Sequence, residues 1–334
     1  MPTSPTVSVI IIFLDAERYL NEAIRSVFDQ TVSDWELLLV DDGSSDASST
    51  IARCHAAAMP ERIRYLEHSG HENRGMSASR NLGIRTARGR YVAFLDADDV
   101  WLPDRLATHL ALLEAHPEAD MAYGPTLVWY GWTGDPADRE RDFVSEIGVT
   151  PHRVIEPPAL LQVFLESRGR YLPGICSLLV RRDALVRLGG FEAAFRGTYE
   201  DQVFLSKACL HLPVYVTDIP LDRYRQHPES CCHRAVSAGD YHPDRPHPAR
   251  KRYLTWLEDY FREQEVDDPA LLHALKVELW PYRHPVRYRI RAARDSLTLE
   301  SLRGSVLQPV KRRLRRSMGD RTWRLLKTAA GRQT

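Results

Sequence analysis

The 334-residue chain has no apolar run long enough to cross a bilayer. Its longest, residues 7–14, contains Ser8 and falls far short of the roughly 18 to 20 residues a membrane-spanning helix needs. Cysteine is sparse and irregular. Cys54, Cys176, Cys209, Cys231 and Cys232 form an odd set with no C-x-x-C pair, which excludes a disulfide framework and a zinc ribbon and leaves five thiols. The adjacent pair Cys231-Cys232 beside His233 does not restore a zinc site, because neighbouring cysteines chelate one ion poorly and no second pair exists. The first five residues lack the basic stretch and small-residue cleavage site of a signal peptide, so the expected compartment is the cytoplasm. Internal repeats and low-complexity segments are also missing, which excludes fibres and low-complexity scaffolds.

What remains is the composition of a soluble protein with a sizeable core, 43% hydrophobic and 27% charged. The length favours one large α/β domain or two smaller ones. A net charge of zero hides an asymmetry: residues 281–334 hold 15 Lys/Arg against 3 Asp/Glu, and residues 1–280 hold 30 against 42. A basic tail on an acidic body is suited to anionic partners.

The first hundred residues read as strand and helix units. Val7–Phe13 is a continuous apolar run rich in β-branched residues, as in a strand buried on both faces of a parallel sheet. Tyr19, Leu20, Ala23, Ile24, Val27 and Phe28 then recur at helical spacing. Strands are expected at 37–40, 63–66 and 91–95, and helices through Ile51, over Met76–Thr86, and from Pro103 to about His116. Beyond residue 120 the pattern loosens. Strands are expected within 121–130 and at 175–180, 214–217 and 221–224, and helices from Asp183 and over 202–211. Residues 237–248 are the best linker candidate, and residues 253–264 and 270–279 are again helical in period.

In such folds ligands bind beyond the carboxyl ends of the strands, where two acidic clusters fall. One is Asp41-Asp42-Gly43-Ser44-Ser45-Asp46, whose acids and serines would ordinarily cap a helix. The other is Asp96-Ala97-Asp98-Asp99. Two carboxylates separated by one residue can offer a hard divalent cation two oxygens and leave positions for water and phosphate. Side by side, such carboxylates raise each other's pKa unless a cation or donor groups intervene.

The stretches Val7-Ser8-Val9-Ile10-Ile11, Glu22-Ala23-Ile24-Arg25-Ser26-Val27, Val40-Asp41-Asp42-Gly43-Ser44, Asn73-Arg74-Gly75 with Ala78-Ser79-Arg80-Asn81-Leu82-Gly83, and Phe94-Leu95-Asp96-Ala97-Asp98-Asp99 resemble, in order and spacing, the family 2 glycosyltransferases. The resemblance runs over about residues 5–230. It implies the GT-A fold, an α/β αβα sandwich with a mostly parallel central sheet, here followed by a C-terminal helical extension. It also implies inverting transfer from a nucleotide-sugar donor. Residues 1–236 would be the GT-A domain, with 1–120 the nucleotide-sugar-binding half and 121–236 the acceptor-binding half. Residues 237–334 would be the helical basic extension.

By the same resemblance, donor-binding residues would be Asp41, Asp42, Arg74, Gly75, Arg80, Asp96, Ala97, Asp98 and Asp99. Asp41 or Asp42 would meet the base or ribose, and the Asn73-Arg74-Gly75 loop would lie nearby. Arg80 stands equally as a ligand contact or as a buried helix residue paired to a carboxylate. Asp96 and Asp98 would hold Mg²⁺ or Mn²⁺ against the diphosphate, with His227 of Tyr224-Arg225-Gln226-His227 completing the metal site. Asp201 of Tyr199-Glu200-Asp201 would be the general base and Glu200 would orient it or hold the acceptor; the alternative is that both acids merely start the next helix. The family's Pro-x-Tyr-Asn after the first strand is replaced here by Ile12-Phe13-Leu14-Asp15, with Phe13 the candidate substitute for the tyrosine against the base.

The expected partners are a nucleotide-sugar donor, a glycan or lipid-linked acceptor, and an anionic membrane surface through the basic and apolar residues 311–327, peripheral at the inner face of the plasma membrane. Nucleic acid is not expected. A non-catalytic membrane-docked binding protein on the same scaffold is the alternative. A sugar nucleotidyltransferase is disfavoured because residues 11–19 contain no glycine to form a triphosphate loop.

Overall fold

The computed structural model describes residues 4–242 and 245–291. Strand and helix alternate at first: β1 (Val7–Phe13), α1 (Leu20–Phe28), β2 (Trp35–Asp41), α2 (Ser48–Ala58), β3 (Ile63–Glu67), α3 (Met76–Thr86) and β4 (Tyr91–Asp96). Shorter pieces follow: β5 (Val100–Trp101), α4 (Arg105–Ala115), β6 (Met121–Tyr123), β7 (Leu127–Trp129), α5 (Pro136–Arg139), β8 (Phe143–Val144), β9 (Arg153–Ile155), α6 (Ala159–Glu166), β10 (Leu179–Arg181) and α7 (Arg182–Arg187). The remaining elements are α8 (Glu200–His211), β11 (Val214–Val216), β12 (Asp222–Arg225), α9 (Cys231–Ala238), α10 (Pro248–Glu263) and α11 (Pro269–Arg283).

The main sheet has eight strands in the order β3-β2-β1-β4-β10-β6-β11-β9. Its first four are parallel, with Ile12 facing Val40 on one side and Asp96 on the other. Every residue of β1 and β2 is buried, which explains why they are continuous apolar runs rather than alternating ones. The order reverses between β1 and β4, so their carboxyl ends flank a crevice where α/β sheets place ligands. A second sheet, β5-β12-β7-β8, adjoins the acidic end of β4 through β5.

One expectation changes. The strand expected over 175–180 is a 3₁₀ turn, Ile175–Ser177, followed by the shorter β10. The Ser177 N–H and hydroxyl both donate to Gly174 O, and this turn sets Cys176 among the acids of the site. The chain divides by its contacts into a first unit, Met1–Leu279, and a second beginning at Trp280; the boundary expected from the sequence lies at 236/237. That point falls inside α9, and Tyr253, Leu254, Leu257 and Phe261 of α10 are buried with Leu271 and Leu275 of α11 in the first unit. Apolar stripes are legible in sequence, but the core they join is not. In the second unit, residues 280–291 are helical apart from a bend at His284. The basic segment 311–327 lies outside the described residues. Among the described residues no helix is long and apolar enough to cross a membrane.

Candidate active site

The carboxyl end of β2 is organised by its own acids. Asp41 is fully buried, accepting from the N–H groups of Gly43 (3.1 Å) and Ser44 (2.8 Å), from the Tyr65 hydroxyl (2.9 Å) and from Ser49 Oγ. Burial pushes its pKa up, but bonds from Ser49, Ser44 and Tyr65 outweigh it and hold the carboxyl below its usual range. Asp42 reaches across to the loop before α3. It accepts from Arg74 N (2.8 Å), Gly75 N (2.9 Å) and Ser79 Oγ (2.9 Å). Gly75 sits at φ +88°, and a Cβ there would meet Arg196 at 3.1 Å. Both acids thus spend their oxygens on the protein. The Arg74 side chain is exposed and pairs with Glu72 at 2.8 Å. Phe13, the candidate base-facing aromatic, is buried in the hydrophobic core instead, because its place in β1 turns it inward.

At the end of β4 the carboxylates outnumber their partners. Asp96 has a side chain about one third exposed, and Ala97 and Asp99 are buried. Cys176 Sγ accepts from Asp96 N and donates to Asp99 Oδ2, both at 3.2 Å. Burial, then the charges of Asp98 and Asp96, push the Asp99 carboxyl well above its usual value. Burial and the same neighbours, Asp96 and Asp99, raise the Cys176 thiol. The mutual repulsion expected at these strand ends is therefore found at Asp99, while at Asp41 hydrogen-bond donors outweigh burial.

Arg80, projecting from α3 and 2% exposed, joins this strand end to α8. Its Nη2 lies 2.8 Å from Asp96 Oδ1 and its Nη1 2.8 Å from Glu200 Oε2. Arg80 is thus a buried helix residue paired to two carboxylates. Burial pushes Glu200 up to about 7 against the opposing pull of Arg80, with Asp201 adding to the rise. Asp201 is the less buried of the two acids, accepts from Gln202 N at 2.7 Å, and has a pKa raised chiefly by burial. Both acids lie in the first turn of α8, where their charge suits the helix dipole.

His227 closes the other side. Its Nε2 is 2.9 Å from Asp98 Oδ2 and its Nδ1 3.0 Å from Glu229 Oε2. The bond to Asp98 raises its pKa, burial opposes, and Glu229 adds to the rise. Arg225 N donates to Asp99 Oδ1 (2.9 Å), its Nε to Asp98 O (2.7 Å) and its Nη2 to Glu22 (2.5 Å). That guanidinium lies about 5 Å from the ring centres of Tyr19, Trp129 and Trp132, an arrangement favoured by cation–π attraction.

Of the expected metal residues, Asp98 and His227 meet directly, while the ligand atoms of Asp96, Asp99 and Cys176 lie within 4.8 Å of one another. A cluster of carboxylate oxygens beside a thiol whose pKa is raised fits a hard cation such as Mg²⁺ or Mn²⁺. Sequence reading missed Cys176 and Arg225. Cys176 stood in a stretch read as strand, and only the position of Arg225 next to the His227 motif hinted at its place.

Residues 8–169 match the sequence family described as "Glycosyl transferase family 2". Over 111 residues the chain is 40% identical to a Bacillus subtilis (strain 168) protein named as the teichuronic acid biosynthesis glycosyltransferase TuaG, covering 33% of this chain and 42% of TuaG. The chain thus matches less than half the length of such relatives. Among solved structures, the mannosyltransferase PcManGT from Pyrobaculum calidifontis, in complex with GDP-Man and Mn²⁺, is similar with a TM-score of 0.56 at 19% identity, over 96% of this chain and 84% of that one. S. aureus TarS 1-349 in complex with UDP-GlcNAc gives 0.55 at 18%, over 82% of this chain and 81% of that one. The fold is accordingly the GT-A fold expected from the sequence.

Proposed function

With residues 8–169 belonging to glycosyl transferase family 2, we propose that this protein is an inverting glycosyltransferase that moves a sugar from a nucleotide-diphosphate donor, a UDP-sugar in the first instance, to a hydroxyl of a cell-surface glycan or lipid-linked acceptor. The observation that carries the reading is Arg80. One guanidinium holds Asp96 at the strand end and Glu200 at the start of α8, each at 2.8 Å, so donor-side and acceptor-side acids share one buried anchor.

In this reading Asp42 shapes the Asn73-Arg74-Gly75 loop against which the nucleoside rests, and Asp41 holds the turn before α2. Asp96, Asp98 and His227 would hold Mg²⁺ or Mn²⁺, which supplies charge stabilisation for the departing diphosphate. Asp99, seated on Arg225 and Cys176, keeps the strand end in shape beside the sugar. Asp201 takes the proton of the attacking hydroxyl. Its raised pKa suits a base, and Glu200, locked on Arg80, orients it. Attack opposite the leaving group inverts the anomeric centre. The naming of TuaG for teichuronic acid biosynthesis supports an envelope glycan as acceptor. The basic tail supports adsorption to an anionic leaflet, where a lipid-linked acceptor would be found.

Thermal unfolding with UDP, dTDP and GDP, each with and without Mn²⁺, tests the donor site. A ligand at 100 times its dissociation constant adds about 2.7 kcal/mol of stability. The expected result is a Mn²⁺-dependent shift with UDP that Asp98→Ala removes. No shift with any nucleotide would replace this reading with that of a non-catalytic scaffold docked by its tail, which sedimentation with anionic vesicles before and after deletion of residues 306–334 would then examine.

A further inference from the structure

Tyr199, the residue before the acid pair, has φ +73° and ψ 5°, a left-handed conformation that bulky side chains rarely adopt. It is held there from one side. The ring, 4% exposed, stacks on Tyr253 of α10 with centroids 5.3 Å apart and planes 17° apart, and its hydroxyl lies 3.0 Å from His247 Nε2. Tyr253 in turn places its hydroxyl 2.8 Å from Ser206 Oγ in α8. His247 caps α10, its Nδ1 accepting from Arg250 N at 3.4 Å. Arg250 anchors that helix through Glu278 at 2.5 Å and Arg168 O at 3.2 Å. A sparsely populated backbone conformation persists only where its surroundings over-determine it, and such residues gather at functional sites. Here the surroundings come from residues 247–253, outside the stretch that matches the family and remote in sequence from Asp96 and Asp98.

We infer that Tyr253 and His247 are positioning residues for Asp201. They brace Tyr199 in its left-handed turn, while Arg80 of α3 clamps the next residue, Glu200. Two clamps on consecutive residues fix the direction in which α8 starts and hence the direction of the Asp201 carboxylate. The inference rests on the reading of Asp201 as general base, and it makes α10 part of the catalytic apparatus rather than an appendage.

Because the acceptor is unidentified, the probe is UDP release from UDP-GlcNAc and UDP-glucose in Mn²⁺ with water as acceptor. In that reaction the bond from the anomeric carbon to UDP breaks, the water oxygen bonds to that carbon, Asp201 takes the proton, and UDP leaves with the electron pair. For Tyr253→Leu and His247→Ala we expect kcat to fall about tenfold or more while the donor KM and the UDP dissociation constant stay within about twofold. Tyr253→Phe keeps the stack and should hold kcat within about threefold. In an Asp201→Asn background the Tyr253→Leu penalty should vanish, which a purely structural contact would not do. Unchanged kcat, parallel loss of donor affinity, or full additivity with Asp201→Asn each overturns the inference. If Tyr253→Leu does not fold, His247→Ala decides by the same cycle. A wild-type chain that binds UDP with Mn²⁺ but loses nothing in Asp201→Asn refutes the base assignment, and the brace with it. A chain that binds no nucleotide refutes the functional reading itself.

Discussion

The two ends of the parallel strands treat their carboxylates in opposite ways. At the amino end, Glu36 of β2 is buried and fully answered: Ser8 Oγ (2.6 Å) and Arg88 N (2.7 Å) donate to one oxygen, and Arg64 (2.7 Å) and Arg88 (2.9 Å) pair with the other. Burial opposes its charge, yet these partners hold its pKa below the ordinary value. At the carboxyl end Asp96, Asp98, Asp99, Glu200 and Asp201 share Arg80, Arg225 and His227, and burial together with mutual repulsion raises Asp99 and Glu200. The first arrangement is complete without a ligand. The second gathers acids whose pKa values are raised by burial and by one another, the pattern that marks a candidate functional site.

Substitutions should separate the two ends by kind of effect. The largest difference is expected for Asp201→Asn, which should cut turnover by about 10² to 10⁴, the range of a positioned general base, while UDP affinity holds; single-turnover kinetics beside calorimetric UDP binding would measure both. Glu36→Gln should do the reverse. Breaking a buried ion pair by removing one partner costs about 3 kcal/mol, here tempered by the part-exposed arginines, and urea unfolding should show that loss with turnover per folded molecule unchanged. A turnover defect in Glu36→Gln would break the comparison.

Asp99→Asn should sharpen it, adding about 1 kcal/mol to the stability of the metal-free protein by removing like-charge repulsion, and shrinking the further gain from Mn²⁺ with UDP. Paired unfolding curves with and without both ligands would reveal the exchange. The smallest effect is a difference in pH slope. Glu200, raised from 4.5 to about 7, binds its proton more tightly in the folded state, so its contribution to stability falls as pH rises between those values. Glu36, lowered from 4.5, contributes above that value and loses its contribution as pH falls through its folded pKa. Melting temperatures against pH should therefore flatten between about 4.5 and 7 in Glu200→Gln and flatten below about 4.5 in Glu36→Gln.

The parallel half of the sheet was legible because burial on both faces demands continuous β-branched runs, and α3 was placed to the residue because Gly75 and the Ala87-Arg88-Gly89 break bound it. The acidic strand ends were legible for the same reason, since strand period and turn residues locate them. Less legible was what those acids touch. Asp41 and Asp42 look alike in sequence, yet one closes its own turn and the other holds a loop 32 residues away. The 3₁₀ turn of Cys176 carries an apolar pattern that a strand would also carry.

Local pattern alone therefore determined the order of strands and helices, the placing of two acid clusters at the carboxyl ends, and the likeness of residues 8–169 to one family. Those properties depend on side-chain period and on near neighbours. Tertiary structure decided that Arg80 bridges Asp96 and Glu200, that Phe13 turns into the core, that Arg225 and Cys176 share Asp99, and that α10 supports Tyr199. Each of these is a contact between residues 16 to 126 positions apart, except the turning of Phe13, which depends on which face of β1 meets the core. Charge and burial at such contacts are set by the whole packed assembly, and no local stretch of sequence contains them.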